Sequence, residues 1–256
     1  MAYDDGEEYD RGVRTPYHRL WYGMVEERME ELLPEEGLLL DAGGGTGELC
    51  LRAGGLRPEM DFVNLDVSAP MLATSQRKYA SSGLEAGFFA VRGDMSRLPL
   101  PSALFDVVLC LGDSLGYVED REGGFAELVR VLRPAGLLWV SGNAFWGNFA
   151  CMLAEGPELG FGSAGVREYY RTHWIDQGEN SVHSFTVEEL KGLGRGNGLE
   201  VKEVFSTPVL GVHEDFLEDP EMARWVREVQ MRHTSHAGLI ERGNHINVVY
   251  SKPGRG

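Results

Sequence analysis

The sequence predicts an α/β fold, a mostly parallel sheet with helices on both faces. Three observations carry that reading. Short apolar runs alternate with helical patterns from Leu38 to Asn143, and strands that are apolar throughout belong to sheets covered on both sides. One of these runs, Leu38 to Asp41, enters the glycine-rich turn Gly43-Gly44-Gly45-Thr46-Gly47 and then a helix. Last, 256 residues with 43% hydrophobic side chains suffice for one large domain, read as residues 1–256.

The elements follow in order. His18 to Leu33 has Leu20, Trp21, Met24, Val25, Met29 and Leu32 at helical spacing, with Pro34 and Gly37 behind them, and residues 1–35 read as an N-terminal helical lid. Strands are expected at Leu38–Asp41, Phe62–Asp66, Phe88–Arg92, Phe105–Leu111 and Gly136–Asn143. Helices are expected at Glu48–Leu56, Ala69–Ser81 and Arg121–Val131, the last ended near Arg133-Pro134. Pro70 stands in a first turn, where its missing N–H costs nothing. Together 36–143 make one half of the domain.

After Asn143 the alternation breaks. Ala144 to His183 is rich in glycine and aromatics without a clean period. Phe185–Leu193 reads as a short helix and Gly198–Thr207 as a sixth strand. Pro208–Asn244 is irregular but for a helix over Pro220–His233, and His245–Lys252 is a last strand. Segments this long without regular structure are uncommon unless they bind something, so 144–183 and 208–244 are expected to form one cap over the carboxyl edge of the sheet.

Charge and composition exclude several classes. The formal net charge of -16 repels phosphate backbones, which argues against nucleic acid as a partner. No apolar run approaches the ~20 residues of a membrane span, and the acidic N-terminus lacks the pattern of a signal peptide. Cys50, Cys110 and Cys151 are too scattered for a disulfide framework or a metal cluster, which suits a reducing, cytoplasmic setting. His233 and His236 lack an evident third ligand, and no metal is expected.

Two kinds of ligand use a glycine turn at a strand end. A dinucleotide wants Gly-x-Gly-x-x-Gly with pyrophosphate on the helix N-terminus. Gly43 and Gly45 fit that pattern, but Glu48 replaces the third glycine and Asp41 precedes the turn, two carboxylates set against a diphosphate. An acidic residue before x-Gly-x-Gly-x-Gly suits instead a ligand with an amino group and a sulfonium. The run from Asp41 to Gly47 resembles the first motif of class I S-adenosylmethionine-dependent methyltransferases. Asn64-Leu65-Asp66-Val67, Ser68-Ala69-Pro70-Met71-Leu72, Gly93-Asp94-Met95, Phe105 to Tyr117 and Leu132-Arg133-Pro134-Ala135-Gly136 resemble its later motifs, in order.

The resemblance covers about 36–143 and implies a seven-stranded, Rossmann-like sheet whose last strand is antiparallel. It implies S-adenosylmethionine as cofactor, S-adenosylhomocysteine as product, and a small-molecule type of enzyme. It also implies a cofactor site drawn from Asp41, Ala42, Gly43, Gly44, Gly45, Gly47, Asp66, Val67, Met71, Gly93, Asp94, Met95, Leu111, Gly112 and Asp113. Asp66 would take the ribose hydroxyls and Asp94 the adenine amino group. Met71 and Met95 read equally well as core, and Asp106 reads as structural. Tyr9, Tyr17 and Trp21 are candidates for a lid over the cofactor, with an aromatic helix packed on the sheet as the alternative.

Methyl transfer is an in-line displacement that depends on alignment and needs a base only where the nucleophile must lose a proton. No triad is therefore expected. Gly112-Asp113-Ser114, Asn143 to Trp146 and the cap should recognise the acceptor, with Tyr169, His173 and His213 as leading catalytic candidates. The expected function is methyl transfer to an O, N or C atom of a small molecule, with a homodimer left open. The alternatives are an NAD-dependent oxidoreductase and a non-catalytic S-adenosylmethionine-binding protein.

Overall fold

The computed structural model describes residues 5–156, 158, 160–176 and 181–254. Two helices come first, α1 (Gly6–Gly12) and α2 (Pro16–Leu32). The Thr15 hydroxyl accepts from His18 N at the start of α2, and Pro16 fills its first turn, satisfying one orphan donor and removing another. Then come β1 (Glu36–Ala42), α3 (Glu48–Leu56), β2 (Glu59–Asp66), α4 (Ala69–Ser82), β3 (Phe88–Arg92) and β4 (Phe105–Cys110). A 3-10 turn, Ser114–Tyr117, leads to α5 (Arg121–Val131) and β5 (Leu132–Asn143).

The first insertion holds α6 (Phe145–Glu155), α7 (Ser163–Thr172) and a small hairpin of β6 (Trp174–Asp176) and β7 (Ser181–His183). After α8 (Val187–Gly196) and β8 (Glu200–Ser206), the second insertion holds α9 (Asp215–Glu218), α10 (Pro220–His233) and a 3-10 turn, Ile240–Arg242. The last element is β9 (His245–Ser251).

The seven-stranded sheet has the order β3-β2-β1-β4-β5-β9-β8. β1 pairs in parallel with both β2 and β4, while β9 runs antiparallel between β5 and β8. The strand order therefore reverses between β1 and β4, and ligands of open α/β sheets bind in the crevice outside the carboxyl ends at such a switch point. Buried clusters cover both faces. Phe125, Leu128, Leu190 and Tyr250 lie on one side, and Trp21, Met29, Phe62, Trp139 and Phe205 on the other. This is the mostly parallel, Rossmann-like sheet with an antiparallel last strand that the motifs implied.

Helix α1 lies within the expected N-terminal helical segment 1–35, ahead of the amphipathic run; Asp5 caps it by accepting from Glu7 N and Glu8 N. The structure corrects some local expectations. Helices α6 and α7 and the β6–β7 hairpin fill a segment with no clean period, because their apolar side chains gather on Phe145, Met152 and Tyr169 rather than on the sheet. Strand β5 starts at Leu132, not Gly136. Leu132 pairs with Phe105 and the register shifts before Val107, so the Arg133-Pro134-Ala135 turn is an irregularity inside the strand. The first insertion gathers on Phe145, Met152 and Tyr169, while the second buries Leu217 and Val226 against Leu20 and Met24 of α2; the two touch where the 3-10 turn Ile240–Arg242 meets α6.

Candidate active site at the carboxyl edge of the sheet

The turn after β1 is held from beneath. Gly43 N and Gly44 N both donate to Leu65 O, at 2.8 and 3.1 Å, which ties the turn to the end of β2. Gly45 has φ +52°, and a Cβ built on it would meet nothing within 4 Å. Glycine thus serves two ends here: the backbone is left-handed, which other residues enter at a cost, and the space above it is open. That space is a cavity of about 690 Å³ lined by Gly43, Gly45, Asp66, Met71, Asp94 and Gly112, among others, a size common for cofactor sites.

Asp66 is the polar centre of this wall. Its Oδ2 accepts from Gly45 N at 2.9 Å and its Oδ1 from Ser68 N at 2.8 Å. Burial raises its pKa, and these backbone N–H bonds oppose that rise. Each oxygen keeps a lone pair for a ligand hydroxyl. Asp94 is exposed and spends Oδ1 on Ser96 N, 2.8 Å away, but it lines the same cavity. Asp41 lies under the turn and lines neither cavity. It is 1% exposed, and its Oδ1 has no hydrogen-bond partner. Burial, and then the nearby Asp66 carboxylate, push its pKa up to about 7.

A second cavity of about 360 Å³ adjoins the first and shares Tyr9, Gly43, Gly45, Gly112, Ser114 and Tyr117 with it. Its own wall includes Tyr17, His18, Trp21, Asp113 and His245. Asp113 sits at φ +68°, and its Oδ2 lies 3.2 Å from His245 Nε2. His245 Nδ1 lies 3.1 Å from Thr207 O. An imidazolium can donate to both, and Asp113 raises the His245 pKa even though burial pulls it down. Asp113 Oδ1 is buried with no hydrogen-bond partner, an acceptor whose capacity the protein leaves unspent. Burial and the Asp113 charge raise the Tyr17 phenol, while burial lowers His18.

The structure sorts the candidate residues. Gly43, Gly45, Asp66, Val67, Met71, Gly93, Asp94, Met95 and Gly112 line the larger cavity. Gly44, Leu111 and Asp113 line the smaller one. Ala42 is fully buried in the core, and Gly47 starts α3 with its Cα packed against Ser75, so both shape the turn without facing either cavity. Tyr9, Tyr17 and Trp21 line the cavities from α1 and α2. Asp106 is indeed structural, accepting from Leu38 N at 2.9 Å and pairing with Arg133.

The catalytic candidates do not join this group. Tyr169 is 2% exposed and donates to Phe145 O, His173 stacks on Phe145, and His213 is an exposed side chain beside Asp215. None of the three, nor any residue of Asn143 to Trp146, lines either cavity. Tyr169 and His173 pack on Phe145 within the first insertion. The residue that sequence reasoning passed over is His245. A signal existed: the first residue of an antiparallel last strand falls at the carboxyl edge of its parallel neighbours, as the pairing of His245 with Asn143 shows.

Comparison with known proteins agrees with this geometry. The methyltransferase domain family matches residues 40–140. Those residues are a methyltransferase domain. It is of the class I, Rossmann-like kind, whose cofactor is S-adenosylmethionine. A demethylmenaquinone methyltransferase of Thermus thermophilus is 37% identical over 102 residues, covering 40% of this chain and 45% of that protein. A ubiquinone/menaquinone biosynthesis C-methyltransferase of Stutzerimonas stutzeri is 32% identical over 124 residues, 48% and 47% of the two chains. The chain thus spans just under half the length of these curated relatives. Among solved structures, a SAM-dependent methyltransferase from Methanosarcina mazei superposes with a TM-score of 0.63 at 18% identity, covering 89% of this chain and 98% of that one; at that identity it attests the fold.

The methyltransferase domain fits its cofactor on the structure's own terms. A buried Asp41 oxygen without a partner, next to the turn, and open space over Gly45 favour a cationic ligand laid across the turn. The Asp41 carboxylate, with Glu48 at the start of α3, disfavours the pyrophosphate of a dinucleotide, and with it the oxidoreductase alternative. In the described residues no helix is long and apolar enough to cross a membrane.

Proposed function

We propose that the protein transfers the methyl group of S-adenosylmethionine to a small hydroxylated aromatic molecule held in the 360 Å³ cavity. The observation that carries this reading is the wall the two cavities share at Gly43, Gly45, Gly112, Ser114 and Tyr117. A cofactor across the glycine turn and an acceptor against Asp113 would meet there. The cofactor supplies a methyl carbon already activated by its sulfonium. The chain's own work is alignment, exclusion of water and handling of one proton.

The residues support those roles. Asp66 and Asp94 would hold the cofactor's ribose and adenine sides. Tyr9, Tyr17 and Trp21 close the acceptor side with apolar rings, which suits an aromatic guest. Asp113 Oδ1 would accept a hydrogen bond from the acceptor's hydroxyl and draw its proton as charge leaves the oxygen, making the oxygen and the ring carbons beside it better nucleophiles. His245, paired at Oδ2, would fix the Asp113 rotamer. The quinone-pathway names of the two curated relatives favour a hydroquinone or phenol among aromatic acceptors.

The test is a panel of phenols and hydroquinones with labelled S-adenosylmethionine, following S-adenosylhomocysteine formation. Turnover on at least one, lost in Asp113→Ala while cofactor binding persists, is expected. Cofactor binding with no turnover across phenols, amines and thiols would favour the non-catalytic binding protein instead.

A further inference from the structure

Away from both cavities, the first insertion brings His173, His183 and Glu189 together, from the end of α7, from β7 and from the first turn of α8. Glu189 closes a capping box with Oε2, which takes Thr186 N at 2.7 Å and the Thr186 hydroxyl at 2.8 Å. Its other oxygen, Oε1, faces the two imidazoles: His173 Nδ1 lies 3.4 Å away and His183 Nε2 3.5 Å away. His173 Nδ1 is buried, yet it makes no hydrogen bond at that distance. The His183 side chain is 7% exposed. One ligand atom from each of the three residues falls within 4.8 Å of the others.

We propose that His173 Nδ1, His183 Nε2 and Glu189 Oε1 bind a divalent transition-metal ion of the zinc type. Metal–ligand bonds of ~2.0–2.1 Å at tetrahedral angles set neighbouring ligand atoms about 3.3 Å apart. The two distances to Oε1 already match that spacing, so only the imidazole–imidazole pair must close. Two imidazoles and one carboxylate are a zinc-like donor set and a poor one for magnesium, which prefers oxygen.

Phe145 stacks on His173 at 3.9 Å, and Phe185 lies edge-on to His183 at 4.8 Å, a shell that limits water around the ion. His173 is only partly covered, which leaves an entry path and a fourth position for water. The ion would clasp the β6–β7 hairpin to α8. The backbone of His183 presses on Gly116, where a Cβ would come within 2.7 Å of His183 O, so the clasp would also support the 3-10 turn that lines both cavities. The three residues are spread over 173–189, which is why no ligand spacing betrays them and the sequence predicts no metal.

The experiment is calorimetric titration of chelator-treated protein with zinc chloride, with magnesium chloride alongside, for the wild type, His173→Asn and Glu189→Gln. Asn keeps the left-handed backbone that His173 adopts at φ +60° at little cost, and S-adenosylmethionine binding reports whether each variant is folded. Expected are one zinc per chain with no magnesium heat, a zinc-induced rise in melting temperature, and at least tenfold weaker zinc binding in His173→Asn. Absence of stoichiometric zinc in the wild type, or unchanged zinc affinity in a folded His173→Asn, overturns the proposal.

Discussion

Two regions of this molecule are rich in the residues that catalysis uses, and they behave in opposite ways. At the carboxyl edge of β1 and β4 the chain leaves room: Gly45 faces open space, and Asp41 and Asp113 each keep a buried oxygen without a partner. In the first insertion, Tyr169 and His173 both stack on Phe145, and the Tyr169 hydroxyl is spent on a carbonyl. Aromatic and histidine side chains fill a space when they can reach each other. A strand-to-helix turn of glycines cannot fill its own, and the space it leaves belongs to a ligand.

That contrast is open to direct attack. The largest effect is expected from Gly45→Val, which adds a branched side chain over the turn at a left-handed position. S-adenosylmethionine affinity should fall by more than about 100-fold, roughly 3 kcal/mol, in a protein that still melts cooperatively. Tight binding by such a variant would show that the cofactor does not cross this turn.

Asp113→Asn comes next. Turnover should fall on the order of 100-fold, the usual worth of a positioned proton acceptor, with cofactor affinity within about threefold of wild type. A fall in affinity with turnover spared would move Asp113 to the cofactor side. Asp66→Ala should weaken S-adenosylmethionine binding by about 1–3 kcal/mol, the cost of leaving buried donors unpaired; equal affinities in a calorimetric titration would remove it from the ribose role.

Asp41 offers a test by pH. Its carboxyl rises from 3.8 to about 7 on folding, so between those values the folded state holds a proton that the unfolded chain has lost. Stability should fall as pH rises through that window and level off above it. Thermal melts of the ligand-free protein from pH 5 to 8 should show this slope, and Asp41→Asn should flatten it and melt higher at pH 8. A slope unchanged in the variant would assign the titration elsewhere. The smallest effect belongs to the packed region: Tyr169→Phe should cost about 0.5–1.5 kcal/mol of stability and leave turnover unaltered. A large loss of turnover would return Tyr169 to the chemistry.

Much of this was legible in the residues, and unevenly so. The helices α3 and α10 and the strand β3 appear at the bounds the sequence predicts, because their apolar periods answer to the sheet or to α2. The glycine turn and Asp66 were legible because backbone geometry demands particular residue types at particular places. The first insertion was not, since its apolar residues gather on Phe145, Met152 and Tyr169, and His245 was hidden by its distance along the chain from Asp113.

The sequence by itself determined the α/β alternation, the antiparallel close implied by its motifs, and the chemistry of the turn after β1, all of which rest on local periodicity and backbone conformation. Only the tertiary structure decided which polar groups share a wall. It let α1 and α2 line the cavities, paired Asp113 with His245 from 132 positions away, and drew His173, His183 and Glu189 together. Each of these contacts depends on where β9, α2 and the first insertion dock. Docking is settled by the summed burial of whole faces, to which no single residue's neighbours in the chain give access.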